Sequence, residues 1–209
     1  MARKLLRNPS VDQWLDLCTG PAILRYLHVF NVDKLEGADI ALAVRDTSIT
    51  EIPAPANGSV VPTGDTGPRP YEYFVTAING DGETEPLEVG SVENGPSELD
   101  DTNNYHTVSW DAVAGATSYA VYVRETHTLW KRKLVTSETS VVNDGSWNLA
   151  YSPPWLNMTT ITCLLDYENL GVGGILQATF DAEITAGEKI VFATTNSMIN
   201  LLARYLEVV

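Results

Sequence analysis

Three histidines, His28, His106 and His127, are the side chains best suited to moving protons near neutral pH. Each falls in or beside a run of β-forming residues, and no Ser or Cys nucleophile motif accompanies any of them. His28 alternates within an apolar run, which reads as a packed side chain or one at a subunit contact. Carboxylates are the second resource, since a suitably spaced pair could protonate and attack a glycosidic bond. Asp81, Glu83 and Glu85 line a hairpin and Asp100-Asp101 lies in a polar loop, all expected to face solvent. Calcium binding is not expected at either stretch. Cys18 and Cys163 stand 145 residues apart with no CxxC or Cys/His cluster, so a zinc site has no support. They are either two small buried hydrophobes or a disulfide joining the ends of the chain. Gly171-Val172-Gly173-Gly174 precedes no helical pattern and reads as a turn, not a phosphate cradle. GxSxG, HExxH and P-loop signatures do not occur. The expectation is a non-enzymatic chain with no catalytic residue, cofactor or metal. Asn57-Gly58-Ser59 and Asn157-Met158-Thr159 fit the glycosylation pattern, but without a signal peptide both matches are expected to be empty.

Charge points to binding instead of chemistry. The chain carries a formal net charge of −14, and residues 51–153 hold fifteen acidic against five basic side chains, a net of −10. Such a body repels DNA, so direct nucleic-acid binding is not expected. Two basic clusters stand out. Arg3, Lys4 and Arg7, with Trp14 nearby, form a candidate assembly arm for docking on an acidic neighbour, or a frayed terminus. Trp130, Lys131, Arg132 and Lys133 are the second cluster, within Thr128–Lys133. It reads either as an exposed sugar- or partner-binding tip or as an edge strand guarded by lysine and arginine.

The elements that must hold these residues are strands. No apolar run approaches the ~18 residues of a membrane span, so membrane insertion is not expected. The basic start is broken by Asn8, Pro9 and Ser10 before an apolar signal region forms, which predicts synthesis in the cytoplasm without export. Ser10–Leu17 has helical spacing for one or two turns. Ala22–Asn31 and Ala38–Arg45 alternate as strands. From Glu51 the composition turns linker-like through Ile52–Gly58, and Pro62–Pro68 is turn-rich. Tyr71–Ile78 then alternates with Tyr71, Tyr73, Val75 and Ala77 on one face, ahead of the tight-turn signal Asn79-Gly80-Asp81-Gly82. His106–Asp111, Ser118–Glu125, Leu134–Val135 and Ser140–Val142 are further strands. After Ser152-Pro153-Pro154 the segments Thr159–Leu165, Leu176–Phe180, Ile190–Thr194 and Leu201–Val209 complete the series. The fold class read from this pattern is all-β.

Residues 105–125, with Val108, Trp110, Ala116, Tyr119, Val121 and Tyr122 as core positions, resemble the B and C strands of a fibronectin type III domain. Tyr73–Glu83 resembles the F strand and F–G turn of that family. The two motifs occur in reversed order, which implies a circularly permuted domain or parts of two tandem repeats. Residues 17–45 and 174–209 resemble a small jelly-roll-like sandwich of tailed-bacteriophage tail, collar and head accessory proteins. Glu188 stands where that pattern has Asp, and Arg204-Tyr205 replaces small residues.

Together the resemblances imply a discontinuous jelly-roll-like β-sandwich, residues 17–52 plus 154–209, preceded by an arm of residues 1–16. A fibronectin III-like sandwich of residues 53–153 would be inserted in it. They further imply a structural component of a virion, made in the host bacterial cytoplasm. Its base would assemble with other virion proteins and with itself as a homo-oligomer. The acidic insert would project outward for weak contact with host-surface glycan. The alternative is a carbohydrate-binding or adhesin module of a bacterial surface protein.

Overall fold

The structure, a computed structural model, describes residues 2–7, 13–31, 36–80, 82–125, 128–135, 137–148, 150–171, 174–195 and 199–207. Among these there is no helix, and fifteen strands follow one another. They are β1 (Ala2–Arg7), β2 (Leu15–Thr19), β3 (Ala22–Asn31), β4 (Ala38–Asp46), β5 (Ser59–Thr63), β6 (Arg69–Ile78), β7 (Leu87–Gly95), β8 (Tyr105–Ser109), β9 (Ser118–Glu125), β10 (Lys131–Val135), β11 (Ser140–Asn143), β12 (Ile161–Leu170), β13 (Ile175–Ile184), β14 (Glu188–Thr194) and β15 (Ile199–Glu207). The protein is all-β, and every named pairing is antiparallel. The chain divides into two compact units, residues 1–50 with 160–209, and residues 51–159.

Unit 1 has two four-stranded sheets, ordered β1-β15-β3-β13 and β12-β4-β14-β2. Along the chain β1 to β4 and β12 to β15 alternate between them, with β4 and β12 paired in the second, and the pleat turns one face of each strand to a shared interior. Leu24, Leu27 and Val29 of β3 meet Ile40 and Leu42 of β4, Ile190 and Phe192 of β14, and Leu201 of β15 in that core. The Thr185–Glu188 turn is made by Gly187 at φ +92° and by Glu188 itself, whose Oε2 accepts from Thr185 N at 2.7 Å and Thr185 Oγ1 at 2.9 Å. A shorter Asp would have to reach farther for both donors.

Three expectations for this unit are corrected. Residues 2–7 are no arm: β1 is the edge strand of the first sheet, with Arg3 opposite Arg204, Lys4 opposite Ala203 and Arg7 opposite Asn200. The charged residues on either side of Leu5-Leu6 obscured this strand in the sequence. The helical turn expected over Ser10–Leu17 gives way at its end to β2, where Leu15 and Cys18 pair with Phe192 and Ile190. Residues 10–12 of it lie outside the described residues. The boundary at 154 moves to 160, because Ile161 starts the pairing with β4 opposite Arg45.

The disulfide alternative also falls on register. Cys18 pairs with Ile190, Ile190 with Val44, and Val44 with Cys163, which places the cysteines on opposite edges of one sheet. Three strand spacings separate their backbones, about 14 Å, twice what a disulfide tolerates. Cys18 is buried in the core.

Unit 2 pairs a four-stranded sheet, β10-β9-β6-β7, with a three-stranded sheet, β11-β8-β5. Tyr71, Tyr73, Val75 and Ala77 of β6 form one wall of its core, as their alternation predicts. Trp110 lies tilted against Tyr119 at 5.3 Å, and the Tyr119 hydroxyl accepts from Val113 N at 2.8 Å. Strands β5 and β7 were hidden in the sequence. The stretch read as linker and turn contains β5, an edge strand that carries Pro62 where a central strand could not. Ile52, read as linker, is buried in the core. Tyr122 is 1% exposed but sits on the other face of β9 from Tyr119 and Val121, outside the two-sheet core.

The ends of unit 2 are fastened to each other. Asn157 Nδ2 donates to Ile52 O at 2.8 Å, and its Oδ1 accepts from Thr159 N at 3.1 Å and Thr159 Oγ1 at 2.6 Å. Ile52 N in turn donates to Thr159 Oγ1 at 3.3 Å. Asn157 is thus a buried clamp, which leaves its amide no room for a glycan. On the unit 1 side Asp46 N donates to Thr160 O at 3.0 Å.

Candidate functional site

Alternation in β6 and β9 puts a second set of residues on the outward face of the four-stranded sheet. Glu72 and Phe74 face Arg124 and Tyr122 across the β6–β9 pair, and Arg132 of β10 follows opposite Tyr122. Trp130 immediately precedes β10. These residues form a ladder of rings and guanidinium groups. Arg124 donates through Nη2 and Nε to Glu72 Oε2, at 2.5 and 3.2 Å, and lies 4.5 Å from the centre of the Trp130 ring. Trp130 meets Phe74 edge-to-face at 5.2 Å. Arg132 stacks between two tyrosines, 5.5 Å from both the Tyr122 and Tyr151 rings. Each guanidinium contact holds a ring by one face.

Glu83 anchors the lower rung. Its Oε1 accepts from the Tyr122 hydroxyl at 2.5 Å and from Thr76 Oγ1, and its Oε2 accepts from Arg132 Nη2 at 3.0 Å. The Glu83 and Arg132 side chains are only 19% and 17% exposed, which corrects the expectation that this carboxylate is solvated. Burial, with the adjacent Glu83 carboxylate, pushes the Tyr122 hydroxyl pKa far up and keeps it a donor. Glu85 also departs from expectation, since its Oε2 is buried without a hydrogen-bond partner. Asp100 remains a loop residue, its pKa lowered by the amides of Asn103 and Thr102 that it caps. Asp81 and His127 lie outside the described residues, and of His28 only the backbone is described.

A shallow groove of ≈ 190 Å³ opens beside the upper rung, lined by Arg124, Thr128, Leu129, Trp130, Tyr151 and Ser152. Leu129 is 79% and Tyr151 58% exposed, so the groove has an apolar rim. The four residues expected as an exposed tip are thereby separated. Trp130 is half-buried at the groove, and Arg132 is drawn into the sheet face. Lys131 lies 3.9 Å from Glu125, while Lys133 is exposed on the edge strand β10. Of the expected assembly residues, Trp14 is half-buried just before β2. Arg3, Lys4 and Arg7 are fixed in backbone position by β1.

Phe74, Tyr122 and Arg124 could have been read as a set from the parity of their strands. Tyr151 gave no signal, because it lies in an irregular Pro-rich stretch and is brought to the site by tertiary folding, against Arg132 and the groove.

The histidine that the structure does place is structural in setting. His106 is fully buried, and its Nδ1 lies 2.7 Å from the Tyr73 hydroxyl, which also receives a hydrogen bond from Asn143 Nδ2 at 2.8 Å. The Tyr73 hydroxyl and Nδ1 share one hydrogen bond, with the donor set by the imidazole tautomer, and the ring's other nitrogen is Nε2. That nitrogen has no hydrogen-bond partner, and the ring stands edge-to-face with Tyr71 at 4.9 Å. Burial lowers its pKa from 6.5 to about 4. Among the described residues no group of three or more His, Cys, Asp or Glu is placed to hold a metal ion, and no helix is long and apolar enough to cross a membrane. The chain matches no protein-family model, no curated protein and no solved structure.

Proposed function

We propose that the chain is a non-catalytic structural component of a bacteriophage particle. The sandwich of unit 1 joins neighbouring virion subunits, including copies of itself, and the acidic sandwich of unit 2 makes weak contacts with the host surface. The observation that carries this reading is the splice. Unit 2 stands where the β4–β12 pair would otherwise need only a hairpin loop, and its own ends are tied together by Asn157. A recognition module set into a loop of an assembly module divides the two tasks between two cores.

Three further features support it. Counted along the eight strands of unit 1, the sheet orders are 1-8-3-6 and 2-7-4-5, the arrangement expected of a jelly roll. The pairing of three with four strands in unit 2, with Trp110 inside, agrees with the resemblance to fibronectin type III domains. The edge strand β1 brings Arg3, Lys4 and Arg7 to one margin of a sheet, complementary to an acidic neighbour such as another copy of this chain.

Antibody labelling of purified particles tests the assignment, with labelling at a symmetric ring or shell expected. Absence from particles, with recovery on bacterial surfaces, would overturn it. That outcome would favour a carbohydrate-binding or adhesin module of a bacterial surface protein, for which the exposed Tyr151 and Leu129 argue. The splice has its own test. Replacing residues 51–159 by a short Gly/Ser linker should leave a cooperatively melting β protein, and an unfolded product would refute it.

A further inference from the structure

We infer that the groove between Trp130 and Tyr151 binds one ring of a neutral glycan, an inference that rests on the proposed host-surface role of unit 2. The rings come first. Arg124 holds one face of Trp130 and Arg132 lies against Tyr151, so both aromatics are positioned before any ligand arrives. Tyr151 nevertheless keeps more than half of its surface open. A sugar ring presents a patch of C–H groups that stacks on such a face, while its hydroxyls need polar partners beside it. Thr128 and Ser152, both exposed, supply hydroxyls on the rim.

Charge selects within the class. Each guanidinium of the ladder already has its carboxylate, Arg124 with Glu72 and Arg132 with Glu83. Among the described residues that line the groove, no cation is left to attract an anionic sugar, and unit 2 as a whole carries a net −10 that repels one. Size points the same way. At ≈ 190 Å³ the groove is smaller than the ~300–1,000 Å³ of pockets that enclose drug-sized ligands, so it takes one ring and leaves the rest of the chain in water. Binding at a single groove of this kind is weak, and its effect depends on many copies acting together.

The test is titration of the full-length protein with neutral oligosaccharides containing glucose, galactose or N-acetylhexosamine, read by the Trp130 indole N–H signal in NMR. Sialylated and sulfated counterparts are run in parallel. A saturable shift with a neutral sugar in the millimolar range is expected, with weaker response to the charged forms. Tyr151→Ala should lower the affinity about tenfold or more without changing the melting temperature, and Leu129→Ser serves as a second exposed variant. No saturable shift with any neutral sugar, tighter binding of the charged forms, or engagement of the groove by a virion protein instead would each overturn the inference. Particle labelling is a separate readout. A particle-bound chain that ignores sugars removes only this inference, whereas a sugar-binding chain absent from particles removes the virion assignment.

Discussion

Lowering the pH from about 6.5 toward 4 should destabilise unit 2 through His106. His106 is neutral in the folded protein, with its pKa lowered from 6.5 to about 4 by burial. In the unfolded chain it accepts a proton near pH 6.5. Stability from this source is therefore complete above that pH, falls as the pH drops toward 4, and falls no further below it. The interval is worth about 3 kcal/mol, a large part of the stability of a domain of this size. The neighbours facing the ring are Tyr73, Tyr71 and Asn143, none of which changes charge in the interval. Urea unfolding at pH 7, 6, 5 and 4.5 measures the loss. Tryptophan fluorescence follows unit 2 preferentially, since Trp110, Trp130, Trp147 and Trp155 lie there and only Trp14 does not. His106→Gln removes the titrating group, and its midpoint should change much less over the same range. The direct check is the His106 Cε1–H resonance, which should not titrate above pH 5. A midpoint near 6.5, or equal acid sensitivity of wild type and variant, would refute the reasoning.

Three other outcomes follow from named contacts. Glu83→Ala strips Tyr122, Thr76 and Arg132 of one shared acceptor, and should cost about 2–3 kcal/mol in denaturant unfolding. Asn157→Ala releases Ile52 and Thr159, and should lower the stability of unit 2 by about 1–3 kcal/mol while leaving far-ultraviolet circular dichroism unchanged. Cys18 and Cys163 should not be linked to each other, so peptide mapping under non-reducing conditions should recover no Cys18–Cys163 peptide.

What the sequence made legible was what alternation encodes. The Tyr71–Ala77 run disclosed the core face of β6, and the alternation in β3 and β4 disclosed those two strands of unit 1. The pattern failed where composition and structure disagree. Pro62 and the surrounding glycines disguised β5, because an edge strand tolerates a residue that a central strand rejects. Arginine and lysine in residues 3–7 disguised β1. The site was only half readable. Trp130 and Arg132 stood out as a cluster, but their partners Glu83 and Tyr151 are brought to them by tertiary folding, and no local spacing announces that. Glu83 looked solvated for the same reason, since Arg132 lies 49 positions further along the chain.

The Asn157 clamp has a consequence for the order in which the molecule folds. Arg45 and Ile161 pair at the end of the β4–β12 ladder, with more than a hundred residues between them. Closing so long a loop from an unstructured chain costs more entropy than closing a short one. If unit 2 folds first, Ile52 and Thr159 are already side by side and the effective loop shrinks to a few residues. The saving is about 2–3 kcal/mol at 25 °C by the logarithmic scaling of loop closure. Nascent β4 would then wait for its partner while residues 51–159 fold, and the strands made after residue 160 would complete a sandwich begun before residue 50.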